Sequence, residues 1–170
     1  AHLSKAVIIE PISEVVDGTS VRNSKSGLIQ KNNSISNSII CAYREAGLSL
    51  EYNYLGVIVH TLAIDATLDL EVGDIISEIN GVKFNSMAEF YVLYNKIRLD
   101  SEFFDKEKGI CSIPMTVNNE PRIVTTDVIQ YNNINEPYPV FGFYIYDQYD
   151  INEETANPKY TINPSNTGGP

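Results

Sequence analysis

Apolar positions come in pairs and triplets at the start of this chain: Val7-Ile8-Ile9, Val15-Val16 and Leu28-Ile29. Pro11, Gly18 and Gly27 fall between them, a texture that predicts short strands joined by turns. From Ser34 the spacing changes. Ile35, Ile39, Ile40, Tyr43 and Ala46 recur at helical intervals between a capping residue, Ser34, and a stop signal, Gly47. An amphipathic helix of roughly three turns is expected there. A β-branched run then predicts a strand at Gly56 to Thr61, and Ala63 to Leu70 suits a short helical turn. In LEVGDIISEING, Leu70 to Gly81, three isoleucines stand between the turn signals Val72-Gly73-Asp74 and Asn80-Gly81, too short for a helix and right for a buried strand. Ser86 to Leu99 carries Met87, Phe90, Tyr91, Leu93, Tyr94 and Ile97 at the 3.6-residue period, with Asn85 or Ser86 as cap.

Asp100 to Gly109 is charged and loop-like apart from Phe103 and Phe104. Ile110 to Val117 and Arg122 to Ile129 read as a hairpin around Asn118-Asn119-Glu120-Pro121. Past Tyr131 the run Asn132 to Pro137 has the composition of an exposed connector, which suggests a domain boundary. Val140 to Tyr146 is strongly β-prone, and Tyr160 to Ile162 is a candidate partner strand.

Composition narrows the function classes. With 170 residues, 43% hydrophobic and 20% charged, the chain suits one medium domain or a small domain with additions. Twelve Lys+Arg against 22 Asp+Glu give a net charge of −10, which repels a nucleic-acid backbone, so no nucleic-acid partner is expected. No run approaches the ~20 apolar residues that cross a bilayer. Membrane attachment is expected only through an anchor outside this chain. Cys41 and Cys111 are either a disulfide pair or two reduced thiols.

The strand at Tyr54-Leu55-Gly56-Val57-Ile58-Val59, the strand after Val72-Gly73-Asp74, the turn Ile79-Asn80-Gly81, the helix from Ser86 and the final hairpin together resemble a bacterial, circularly permuted PDZ domain over roughly Leu50 to Ile129. The resemblance implies that Tyr54-Leu55-Gly56-Val57 is a carboxylate-binding loop. A loop of backbone N–H groups holds an anion without a charged side chain, and a glycine allows close approach. A peptide would add as a strand beside Val57 to Thr61, with Ile58 and Val59 in the receiving strand. Met87, Tyr91 and Tyr94 would form the groove side of the helix, and Phe90, Leu93 and Ile97 the core side; core packing of the whole aromatic stripe is the competing reading.

A second resemblance extends to the end of the chain. Thr167-Gly168-Gly169-Pro170 is similar to the lead-in to the nucleophilic Ser of Lon-like, membrane-anchored serine peptidases that carry a PDZ domain. Pro139-Val140-Phe141-Gly142-Phe143 resembles the first strand of their catalytic domain, and Ser38 to Gly47 the helix before their PDZ domain. A Gly-rich terminus without that meaning is the alternative reading.

The implied fold class is α+β: a PDZ-like partly open β-barrel or sandwich with two helices, preceded by a strand and helix segment (1–49), spanning 50–130, and followed by the start of a Lon-like proteolytic domain (131–170). The implied function is the non-catalytic portion of a Ser/Lys-dyad peptidase at the extracytoplasmic face of a bacterial membrane. Its PDZ module would bind or gate polypeptide substrate or peptide C-termini, with no cofactor, and with Ser and Lys outside this chain. The alternative is a stand-alone PDZ peptide-binding scaffold without peptidase activity.

Other constellations are weaker. His2 and His60 stand far apart, the cysteines lack local partners, and no calcium-loop spacing occurs, so no metal is expected. A Ser-His-Asp site on His60 has no nucleophile elbow near it. Asp147, Asp150, Glu153 and Glu154 read as a solvated loop.

Overall fold

Residues Gly18–Glu45 form one helix, α1, of 28 residues in the computed structural model, which describes residues 18–63, 68–127 and 142–163. The strand expected at Leu28-Ile29 and the helix start expected at Ser34 are thus replaced by a single longer helix. The reason is a polar inner face. Ser26, Ile29, Asn33, Ser36, Ile40 and Tyr43 recur every three or four residues as the less exposed stripe, and half of them are polar, which hid the period. The stop at Gly47 holds: Gly47 adopts φ +66°, its N–H reaches Arg44 O at 3.1 Å, and Leu48 N–H reaches Tyr43 O at 2.9 Å. This is the paired closure that satisfies the last helical carbonyls.

Strand β1, Glu51–Leu62, is twice the expected length because it is paired along its whole course. Next come β2 (Ile75–Ile79), β3 (Val82–Lys83), helix α2 (Met87–Ile97), β4 (Phe104–Asp105), β5 (Ile110–Val117), β6 (Glu120–Asp127) and β7 (Phe143–Asn152). The fold is α+β: an open antiparallel sheet of seven strands and, among the described residues, two helices. The sheet runs β4-β5-β2-β1-β7, with β3 paired to β2 and β6 to β5.

Turn chemistry sets the hairpins. Asn80 and Gly81 both take positive φ between Ile79 and Val82, and Asn118 and Asn119 do the same between Val117 and Glu120. Two-residue turns of this hand match strand twist. They also move the start of β6 from the expected Arg122 to Glu120, placing Pro121 within a strand that pairs only with β5 among the described residues.

The Gly-Asp of the LEVGD turn has a structural purpose. The Asp74 carboxylate, nearly buried, accepts from Glu71 N–H and from Asn118 Nδ2, each at 2.8 Å, with Arg122 Nη1 at 3.7 Å. The Asn118 side-chain oxygen in turn accepts from Ile75 N–H at 3.0 Å. One carboxylate therefore ties the turn before β2 to the β5–β6 hairpin.

The main core lies between the sheet and α2: Val57, Val59, Ile76, Ile79, Phe90 and Ile113 are fully buried. Alternation along β1 sends Ile58 to the opposite face, where it packs with Ile29 of α1 and Val72. Four consecutive residues, Gly56 to Val59, are consequently buried. Among the described residues no helix is long and apolar enough to cross a membrane.

Tyr160–Ile162 does not pair with the preceding strand as expected. Tyr160 packs edge-on against Tyr43 of α1 with centroids 6.1 Å apart, and the Tyr43 hydroxyl donates to Pro158 O. β7, on the far side of the boundary expected near Tyr131, joins β1, and the segment after it packs on α1 rather than on the outer edge of β7. The strands expected at Val7-Ile8-Ile9 and Val15-Val16, residues 64–67 of the turn expected at Ala63 to Leu70, the connector 132–137 and the Thr167–Pro170 lead-in lie outside the described residues.

Candidate functional site

The edge of β1 beside α2 holds an extended segment of the same chain. β7 pairs antiparallel with β1 through ten residue pairs, from Glu51 with Asn152 to Leu62 with Phe143. The register shifts between Tyr54 and Gly56 and again between Val59 and Thr61, leaving Leu55 and His60 as bulged residues.

Side chains of β7 alternate between the two layers. Phe143 meets the rings of Phe90 and Tyr94 at centroid distances of 6.2 and 6.4 Å, and Ile145 is buried in the main core. Two residues further on, the Asp147 carboxylate accepts from the Tyr54 hydroxyl at 2.9 Å and from Met87 N–H at 2.6 Å. Met87 is the first residue of α2, whose free N–H groups and dipole favour an anion. From the other layer Asn33 Nδ2 donates to the backbone carbonyl of Asp147 at 2.7 Å. Burial, and then the hydrogen bond and charge of Asp147, raise the Tyr54 phenol well above its ordinary range, so it stays a neutral donor. Asp147 is therefore no part of a solvated loop. Glu153 and Glu154 are exposed, in the turn after β7, where their carbonyls hold the Lys159 ammonium at 3.0 and 2.7 Å.

The nine residues expected at a peptide site take several positions. Tyr54 is half-buried, edge-on to Phe84 and Tyr149, and bonded to Asp147. Leu55 is 40% exposed at its bulge. It borders an open cleft of about 400 Å³ whose lining includes Tyr54, Gly56, Glu78, Lys83 and Asn85. Glu78 already serves Lys83 at 3.8 Å and Thr116 at 3.2 Å. Gly56, at φ +129°, lies directly against the β2 backbone, where a Cβ would run into the Ile76 carbonyl oxygen. Val57 and Val59 are main core, and Ile58 faces α1.

Helix α2 does not divide into a groove stripe and a core stripe as expected. Phe90, Tyr94 and Ile97 are its buried residues, spaced four and three apart, with Met87 packed against the same core one turn earlier. Tyr94 stacks on Phe90 at 5.9 Å, Leu93 is only partly buried, and Tyr91 is 38% exposed on the flank. Ser86 caps the helix by accepting from Glu89 N–H, a contact worth about 1 kcal/mol.

Sequence reasoning missed Phe143, Ile145, Asp147 and Asn33. The alternation Phe-x-Ile-x-Asp was the available signal for the first three; a polar residue within a buried helical stripe was the signal for Asn33. A hydroxyl relay was also missed: Ser26 Oγ lies 3.1 Å from Thr61 Oγ1, which lies 2.7 Å from His60 Nδ1. It ties α1 to β1, and the His60 ring stacks on Tyr146 at 4.0 Å. Cys41 is exposed, Cys111 is buried, and both are free thiols. Among the described residues no group of three or more His, Cys, Asp or Glu side chains is placed to hold a metal ion. Comparison with protein-family models, with curated proteins and with solved structures finds no match to this chain, so its candidate site rests on geometry alone.

Proposed function

We propose that this chain is the non-catalytic, polypeptide-handling part of a Lon-like Ser/Lys peptidase, in which a PDZ-type module receives extended chain segments by strand addition. The observation that carries it is the seat on β1: ten antiparallel pairs with an extended strand, flanked by α2 and its N-terminal N–H. In this reading the module binds or gates substrate, and Tyr54 to Val59, Met87, Tyr91 and Tyr94 form or border the receiving surface. Nucleophile and base are supplied by residues beyond this chain, and an anchor outside it holds the protein at the extracytoplasmic face of a bacterial membrane.

The test is made on a longer chain, extended past Pro170 by its own coding sequence. That sequence should continue Ser-Ala-Gly with a later Lys. The extended chain should cleave an unfolded protein, replacing that Ser with Ala should abolish cleavage, and residues 1–170 alone should be inert. An extension lacking the Ser, or one that binds unfolded chains without cutting them, would make the protein a stand-alone peptide-binding scaffold instead.

A further inference from the structure

We propose that the seat filled by β7 is exchangeable and selective: it takes extended segments in trans that carry an aromatic residue, a branched aliphatic two positions on and a carboxylate two further on, the pattern Phe143-x-Ile145-x-Asp147. This deepens the strand-addition reading by naming the ligand class and by making β7 its competitor within the chain.

The docked strand shows what the seat recognises. Its aromatic position is read by the rings of Phe90 and Tyr94, and its aliphatic position enters the main core. Its carboxylate is read by two donors from different elements, the Tyr54 hydroxyl and Met87 N–H. Charge-assisted bonds of this kind are the stronger sort and discriminate against a neutral isostere. Tyr146, stacked on His60, and Tyr149, edge-on to Tyr52 and Tyr54, add aromatic contacts further along the strand. The ladder to β1 uses backbone groups, and Asn33 grips the carbonyl of Asp147 rather than its side chain. A seat that reads the Phe, Ile and Asp positions from one layer and holds the strand between them through backbone groups can accept another chain bearing the same pattern.

The occupant is also placed to leave. In the sheet β7 pairs with β1 alone among the described residues, while β1 keeps its pairing to β2 at Val57 and Ile58 without it. The side chains of Tyr144 and Asp150 on β7 are exposed. The strand is therefore a tethered ligand whose contacts are reinforced by high local concentration.

The probe is a fluorescent peptide with the sequence of Gly142 to Asn152, titrated into the full 170-residue chain. A second protein carries Asn53→Cys and Asp150→Cys in a Cys41→Ser background; these cross-strand partners lie at the exposed end of the pair, so oxidation locks β7 in place. Saturable binding to the reduced pair variant is expected, lost on oxidation and restored by reductant. Placing Asn at the peptide's Asp147 position should weaken binding about tenfold, and a scrambled peptide should not bind. In the chain itself, Asp147→Asn should loosen the tethered strand and tighten the parent peptide by a similar factor. No binding of the parent peptide to either the wild type or the Asp147→Asn chain would overturn the proposal. Equal binding to locked and unlocked protein, or equal binding of scrambled and parent peptides, would overturn it as well. The proteolysis assay on the extended chain uses none of these peptides, so this inference and the peptidase reading fail or stand separately.

Discussion

Tyr54 and Asp147, 93 positions apart in sequence, meet where β1 and β7 pair, the phenol donating to the carboxylate at 2.9 Å. The same oxygen takes the Met87 N–H, so removal of the hydroxyl leaves the charge bonded but weakened. Tyr54→Phe should therefore cost about 1 to 2 kcal/mol, at the low end of the range for a bond to a charge. Urea denaturation should show the midpoint falling with an unchanged slope. A variant as stable as the parent would mean that the phenol contributes nothing to docking of β7.

Gly56 and Gly27 should respond oppositely to the same substitution. Gly56→Ala forces a Cβ into the Ile76 carbonyl at a φ of +129° and should cost at least about 2 kcal/mol through strain and overpacking. Gly27 lies within α1 with open space where a side chain would project, so Gly27→Ala should stabilise by about 0.5 to 1 kcal/mol. Thermal unfolding of the two variants gives the comparison directly. Because Gly56→Ala damages the β1–β2 pairing, loss of peptide binding in that variant is not a measure of anion recognition.

The thiols should separate by reactivity. Cys111 is fully buried, and burial pushes its thiol up to about 11, against a smaller opposing effect of Arg98; Cys41 is exposed. At pH 8 a thiol reagent should label one cysteine of the folded chain rapidly and the second only on unfolding. In the Cys41→Ser variant, rapid labelling without denaturant would show that the core opens around β5.

His60 should make stability depend on pH. Burial lowers its pKa from the ordinary value near 6.5, so the folded state resists protonation while the unfolded state accepts it. Stability from this residue is complete above about pH 6.5 and declines as pH falls from there toward the depressed folded value. The rings of Tyr144 and Tyr146 lie against it, with centroids 6.3 and 4.0 Å away. His60→Phe, which keeps a ring to stack on Tyr146, should show a smaller loss of urea midpoint between pH 7.5 and 5.5 than the wild type. Parallel curves for the two proteins would exclude the effect.

Much of the fold was legible wherever the cause is local. Asn80-Gly81 marked its hairpin because both residues tolerate positive φ, and Ser86 marked the start of α2 because its hydroxyl reaches an otherwise free N–H. The three isoleucines between Asp74 and Asn80 form the predicted strand. Helix α1 was only half legible. Its C-terminal stop was visible in Gly47, but Ser26, Asn33 and Ser36 occupy inward positions that a hydrophobic period leaves blank. Those polar side chains are tolerated because partners wait for them: Thr61 for Ser26 and the Asp147 carbonyl for Asn33.

The sequence by itself determined the Asn80-Gly81 turn, the Ser86 and Gly47 caps, the β2 strand, helix α2 and the β5–β6 hairpin, since each depends on the conformational preferences of a few adjacent residues. Only the tertiary structure decided which strand lies on the second edge of β1, which face Tyr94 presents, and that Asp147 is a ligand rather than a solvated carboxylate. A strand's partner is settled by competition among all available edges, after paying the entropy of closing a long loop, and nothing in the ten residues of β7 encodes that outcome alone. Tyr94 is buried because Phe143 arrives to cover it, and Asp147 is bonded because the α2 N-terminus and Tyr54 are brought to the same point from opposite ends of the chain's winding.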